Sequence, residues 1–238
     1  MFIREFIKRL LKVNGVIIKR YPEMDVARRM KLVRAKKINT IIDVGANSGQ
    51  YASLMRDYGY KGKIISFEPL LDAYNNLNKL VSNDPLWEAY NYALGNKNEK
   101  AFINVSGNSF SSSILDMLDA HLESAPESEY IAKQEIGIKK LDEIFEELCD
   151  TKSGTMLKID VQGFEKEVLQ GASASLRSID IIQLEMSIVP LYKDEMTLCD
   201  MITYLKGLNF ELFSLENGYF DSTTGQLLQV DGIFRKVS

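Results

Sequence analysis

The chain has 238 residues, 45% of them apolar and 26% charged, which suits one large α/β domain with its own core. Residues 1–37 hold 12 Lys and Arg against 3 Asp and Glu, which leaves 17 against 30 in the remainder, and an acidic body of that kind argues against general nucleic-acid binding. Cys149 and Cys199 are far apart and His121 is the single histidine, so a disulfide framework, a zinc cluster and a Ser-His-Asp hydrolase are all disfavoured and a reducing, cytoplasmic setting is expected.

Residues 2–13 have helical spacing, with Ile3, Phe6, Ile7 and Leu10 on one face. The segment is too short and too charged to span a bilayer, and it carries no signal-peptide cleavage pattern. It reads as a helix packed on the domain or a partner subunit, or as one resting on the anionic inner face of a membrane. Residues 22–37 form a second basic helix, entered through Pro22, so residues 1–37 read as a helical extension.

The first strand, Ile38–Val44, carries an acid at its end, Asp43, turns through Gly45 and Gly49, and opens a helical pattern. That is the strand-turn-helix grammar of a nucleotide-type cofactor site at the carboxyl edge of a parallel sheet. The residues of this turn, Gly45, Ala46, Asn47, Gly49, Gln50 and Tyr51, are the first cofactor candidates. A dinucleotide fold wants glycine where Asn47 stands, and the Asp43 carboxylate would repel a phosphate while suiting an ammonium or sulfonium. The second strand, Lys63–Phe67, runs into Glu68 and Pro69; a carboxylate there can accept two hydrogen bonds from a ribose diol. Together these features fit S-adenosylmethionine better than NAD, with an NAD-dependent oxidoreductase as the alternative. Residues 72–81 read as a helix and Ala89–Leu94 as the third strand, which would put Ala93 and Leu94 beside an adenine.

Residues 101–140 read as an elaboration on the substrate side. A strand at Ala101–Val105 leads into a hydroxyl-rich loop, in which Ser111 and Ser112 are acceptor-binding candidates. A polar, acidic stretch and an extended segment at Gln134–Lys139 follow. After a short helix from Leu141, the stretch Met156–Ala172 repeats strand, acid, glycine turn and helix. This sets Asp160 at the sheet edge across from the first turn, with Gln162 beside it and Glu165 at the helix start. A buried strand ends at Glu185, Leu198–Leu205 is helical, and Phe210–Leu215 and Gly232–Val237 close the sheet with an antiparallel last strand.

The motifs Ile42–Gly49, Phe67–Pro69, Ala93–Gly95, Leu157–Glu165 with Val168–Ala172, and Gln183–Glu185 together resemble the FkbM family of methyltransferases over about residues 40–190. The resemblance implies a class I methyltransferase (Rossmann-like) fold for residues 38–238, three-layered around a seven-stranded mostly parallel sheet. It also implies S-adenosylmethionine as donor and O-methylation of a sugar hydroxyl in a glycan or natural product. Gln162 stands where the family usually has Glu, and Asn96 where it often has Asp; the Gln162 amide can still hydrogen-bond the substrate and joins Ser111 and Ser112 as an acceptor-binding candidate. A weakly nucleophilic hydroxyl calls for a base, and with His121 set in an acidic excursion the candidates are Asp160, then Glu185, then Glu165. Asp160 also borders the cofactor in this reading. No third ligand joins Asp160 and Glu185, so no metal is expected. A catalytically inactive binding module, with its chemistry lost at Gln162, is the remaining alternative.

Overall fold

The computed structural model describes residues 24–108 and 110–237. The amphipathic segment expected over residues 2–13 lies outside the described residues. Among the described residues no helix is long and apolar enough to cross a membrane.

Helix α1 (Met24–Ala35) buries Val26, Met30, Leu32 and Val33 and leads into β1 (Ile38–Val44). The first half of the domain alternates strictly: α2 (Gln50–Asp57), β2 (Lys63–Phe67), α3 (Leu71–Val81) and β3 (Trp87–Tyr90). Two-residue strand β4 (Ala93–Leu94), β5 (Glu99–Ser106), α4 (Asp119–Ser124) and β6 (Tyr130–Lys139) make up the excursion. The second half runs α5 (Leu141–Leu148), β7 (Gly154–Ile159), α6 (Glu165–Gly171), β8 (Ile181–Ser187), α7 (Leu198–Gly207), β9 (Phe210–Asn217) and β10 (Gln229–Lys236).

Seven strands form one sheet in the order β3-β2-β1-β7-β8-β10-β9, with β10 antiparallel to both of its neighbours and the others parallel. The order reverses between β1 and β7, so the carboxyl ends of those strands flank the crevice where ligands bind in open α/β sheets. Alternation along the strands divides the core in two. Ile42, Val44, Ile65, Leu157, Ile159, Ile182 and Leu184 pack with α5, α6 and α7, whereas Ile41, Ile64, Met156 and Ile181 pack with α1, α2 and α3.

The expected third strand, Ala89–Leu94, is in fact two elements in two sheets. Trp87–Tyr90 is the edge of the main sheet, and Ala93–Leu94 pairs with β6 in a separate three-stranded sheet ordered β4-β6-β5. Asn91 marks the break: its side-chain amide donates to the carbonyls of Glu68 and Pro69 and turns the chain away. The small sheet therefore stands over the carboxyl edge of the large one, with Ile103, Ile136 and Ile138 packed around Leu70 and Ala93.

Candidate active site

Two turns meet at the switch point. In the first, Gly45, Asn47 and Gly49 all have positive φ, at 75°, 47° and 88°. Gly45 has no room for a side chain, because a Cβ there would overlap the carbonyl of Asp160 in the second turn. Gly49 plays a different part. A Cβ would press on Leu77 and Trp87 at 3.0 Å, so this glycine lets α2 pack close to its neighbours. The Asn47 N–H donates to Glu68 Oε2 at 2.8 Å, and the Leu70 N–H donates to Glu68 Oε1 at 2.8 Å. Burial outweighs those two donors and pushes the Glu68 pKa up to about 7.

A cleft with about 690 Å3 of empty volume opens above these turns. Gly45, Asn47, Glu68, Pro69, Ala93, Leu94 and Asp160 from the expected cofactor set line it, and Phe67, Leu70 and Phe164 give it an apolar wall. Ala46, Gly49, Gln50 and Tyr51 lie outside its lining. Ala46 and Gly49 are buried in the turn, and Gln50 is exposed at the start of α2.

Asp43 also lies outside the lining. Its side chain is fully buried beneath the turn, where Lys158 Nζ stands 3.2 Å from Oδ1 and Ser66 Oγ donates to Oδ2 at 3.4 Å. Strand register explains this: Ser66, Asp43, Lys158 and Gln183 occupy facing positions on β2, β1, β7 and β8 and form one polar row across the sheet. Tyr51 closes the row from above, donating its hydroxyl to Gln183 Oε1 at 2.9 Å, with Arg29 and Lys158 each 5.3 Å from its ring centre. Lys158 reaches Asp160 Oδ2 as well, at 3.5 Å, and donates to the Gly45 carbonyl at 3.3 Å. Burial alone would lower the Lys158 pKa, but Asp43 and Asp160 outweigh it and keep the ammonium charged.

The second turn centres on Gln162, held at φ 56°. Its amide nitrogen donates to Asp160 Oδ1 at 3.1 Å and to Glu185 Oε2 at 2.9 Å, and its amide oxygen accepts the Tyr192 hydroxyl at 2.7 Å. Ser113 Oγ donates to its main-chain carbonyl at 2.6 Å. Glu165 faces inward: its Oε1 accepts the N–H groups of Val161 and Gly163 at 3.2 and 3.3 Å, so it clamps the turn from below, and burial raises its pKa to about 8. Glu185 also accepts from Gln229 Nε2 at 2.9 Å, and burial beside Asp160 and Asp231 holds its pKa well above the usual carboxylate range. Asp160, with 41% of its side chain exposed, faces the cleft.

A second cavity adjoins the cleft on the far side of Gln162, which lines both. Glu185 and Ser111 are on this side, while Ser112 is on the cleft side. The Ser111 hydroxyl is tied to Ser128 and Asn108, and Ser112 Oγ accepts the Ser106 N–H. His121, set aside in the sequence, is buried against this cavity. Tyr192 and Gln229 are further site residues that no motif marks. Among the described residues no cluster of three or more His, Cys, Asp or Glu is arranged to hold a metal ion.

A seven-stranded sheet with one reversed strand, a glycine turn at its switch point and a carboxylate at the end of the next strand define a class I methyltransferase that uses S-adenosylmethionine. The cleft suits that cofactor: Gly45 leaves backbone room, the apolar wall suits a purine, and each Glu68 oxygen keeps a lone pair for a ribose hydroxyl. A family model described as the methyltransferase FkbM domain matches residues 43–212, and the chain belongs to that family. Among solved structures it resembles methyltransferase FkbM from Methylobacillus flagellatus KT, with a TM-score of 0.50 and 14% identity over 82% of this chain. The chain spans 44% of that longer structure, and the likeness is one of fold. It is also similar to an rRNA methylase from Streptococcus thermophilus, at TM-score 0.47 and 10% identity over 94% of this chain and 100% of that one. A third likeness is to TehB from Haemophilus influenzae, at TM-score 0.48 and 9% identity over 89% and 62%. No curated protein matches the chain.

Proposed function

We propose that the protein is an O-methyltransferase acting on a sugar hydroxyl, with Asp160 as the base and Glu185 as its backing carboxylate. The observation that carries this reading is the Gln162 amide, which donates to both carboxylates where the cofactor cleft and the second cavity join. S-adenosylmethionine bound in the cleft would supply an electrophilic methyl on a sulfonium, with neutral S-adenosylhomocysteine as the leaving group. Asp160 accepts the hydroxyl proton, an assistance of typically 10²–10⁴-fold. Lys158, 3.5 Å from Asp160, holds that carboxylate in place and offsets its charge. Gln162 pins Asp160 and Glu185 without adding a further carboxyl group between them, so it acts as a positioning residue. Glu68 holds the ribose, and Ala93, Leu94 and Phe164 shape the adenine slot. Asp43 supports the site from beneath through Lys158.

The acidic composition of residues 38–238 weighs against an RNA acceptor, which a basic surface would favour. Asp160→Asn tests the assignment. We expect unchanged affinity for S-adenosylhomocysteine by calorimetry and turnover lowered by about 10²-fold or more. Full turnover in that variant would reject Asp160 as the base.

A further inference from the structure

The second cavity, with about 510 Å3 of empty volume, is built by the loop after β5, α4 with the turn behind it, the Gln162 turn, β8 at Glu185, the loop carrying Tyr219 and the start of β10. Its charge is one-sided. Glu127, which is exposed, and Glu185, which is half-buried, both line it, and among the described residues no Lys or Arg does. Gln229 stands beside Glu185 on the neighbouring antiparallel strand, so a carboxylate and an amide lie together there.

His121 is the unexpected member. It is 3% exposed, lines the cavity, and its Nδ1 has no hydrogen-bond partner. A buried polar atom left unpaired is unfavourable, and such a group in a native fold calls for an explanation. The ring is wedged edge-on to Tyr192 at 5.2 Å and tilted against Tyr219 at 6.1 Å. Burial lowers its pKa despite Glu127 nearby, so the imidazole is neutral at pH 7 and offers one donor and one acceptor.

We propose that this cavity is the acceptor subsite, that it selects an uncharged hydroxyl-bearing ring against phosphorylated, sulfated or carboxylated ones, and that His121 is its positioning contact. The inference rests on the methyl-transfer reading of the adjoining cleft. A hydroxyl can donate to Glu185 and exchange a hydrogen bond with the imidazole, and it needs no counter-charge. An anionic substituent would find no cation in the cavity to offset it and would meet the Glu127 carboxylate at the rim, so it is disfavoured against a neutral ring. Tyr219 adds a flat apolar wall of the kind that covers the carbon face of a sugar ring.

The test uses the full chain saturated with S-adenosylhomocysteine and saturation-transfer NMR. The probes are methyl glycosides of glucose, galactose, mannose, rhamnose and fucose, set against the methyl glycosides of glucuronic and galacturonic acid. We expect transfer to at least one neutral glycoside and binding at least about tenfold weaker for the uronides. His121→Leu and Tyr219→Ala should each weaken the neutral glycoside about tenfold while S-adenosylhomocysteine affinity holds. Glu127→Lys should admit a uronide that the wild type rejects. Uronides bound as well as their neutral counterparts, no neutral glycoside bound at all, or binding indifferent to both cavity variants would each overturn the proposal. If the melting curve shows that His121→Leu is unfolded, Tyr219→Ala and Glu127→Lys decide the matter. Failure of S-adenosylhomocysteine to bind the wild type would instead remove the methyl-transfer reading on which the subsite rests.

Discussion

Glu68 accepts N–H groups from both sides, from Asn47 and from Leu70, yet burial still pushes its pKa up to about 7. Hydroxyl donors favour the ionised carboxylate, so filling the site pulls that pKa down. Cofactor affinity therefore rises as pH rises through about 7 and falls below it. For folding of the empty protein the sign is opposite. A raised acid pKa contributes stability that is fully present below the ordinary carboxylate value near 4.5 and is lost as pH rises through 7. We expect calorimetry to show severalfold tighter S-adenosylhomocysteine binding at pH 8 than at pH 6, and Glu68→Gln to flatten that dependence. Equal affinities at the two pH values in the wild type would remove Glu68 from the ribose site. Glu165 carries a similarly raised pKa, near 8, and its side chain accepts the N–H groups on either side of Gln162.

Elements are joined across the sheet by buried polar pairs as much as by apolar packing. Helix α1 reaches the far edge of the sheet through Arg29, which ion-pairs with Glu216 of β9, both side chains more than nine-tenths buried. Asp231 lies opposite Glu216 on β10, so that corner already holds two carboxylates. Arg29→Ala would leave Glu216 buried beside Asp231 without its cation. A broken buried pair of this kind costs about 3–5 kcal/mol, whereas replacing both partners by apolar residues is often near neutral. We expect Arg29→Ala to lower the denaturant midpoint strongly and the double variant Arg29→Met with Glu216→Leu to recover most of the loss. A single variant as stable as the wild type would show that the pair contributes nothing to holding α1 on the sheet.

Taken whole, the molecule sets a small three-stranded sheet over the carboxyl edge of a seven-stranded one, and the two cavities lie beneath and beside it. The cofactor cleft draws its walls from both sheets: Val44 and Phe67 from the large one, Ala93, Leu94 and Ile103 from the small one. Filling it should couple them. A ligand present at 100 times its dissociation constant adds about 2.7 kcal/mol, worth roughly 5–10 °C for a chain of this size. Thermal denaturation should show a rise of that order with S-adenosylhomocysteine and none with NAD. A comparable rise with NAD would return the oxidoreductase reading.

What the sequence determined by itself is local: two runs of apolar strand, acid, glycine turn and helix, and a third acid after a second strand. These follow from the bonds a strand end and a helix start leave open and from the few residues that tolerate positive φ, so they are legible residue by residue. Helix and strand positions in both halves followed from apolar spacing. The face each acid presents was a matter of register. Asp43 shares its side of β1 with Ile41 and meets Lys158 across that face of the sheet, whereas Glu68 and Asp160, one step past their strand ends, look into the cleft. Only the folded chain decided that Ala93–Leu94 leaves the main sheet, because Asn91 turns it by hydrogen bonds to residues more than twenty positions away. The same holds for His121, which meets Gln162, Glu185, Tyr219 and Gln229 in one cavity although about forty to a hundred positions separate them in sequence. Periodicity reports which way a side chain points within its own element; which distant groups it then faces is set by the docking of the sheets.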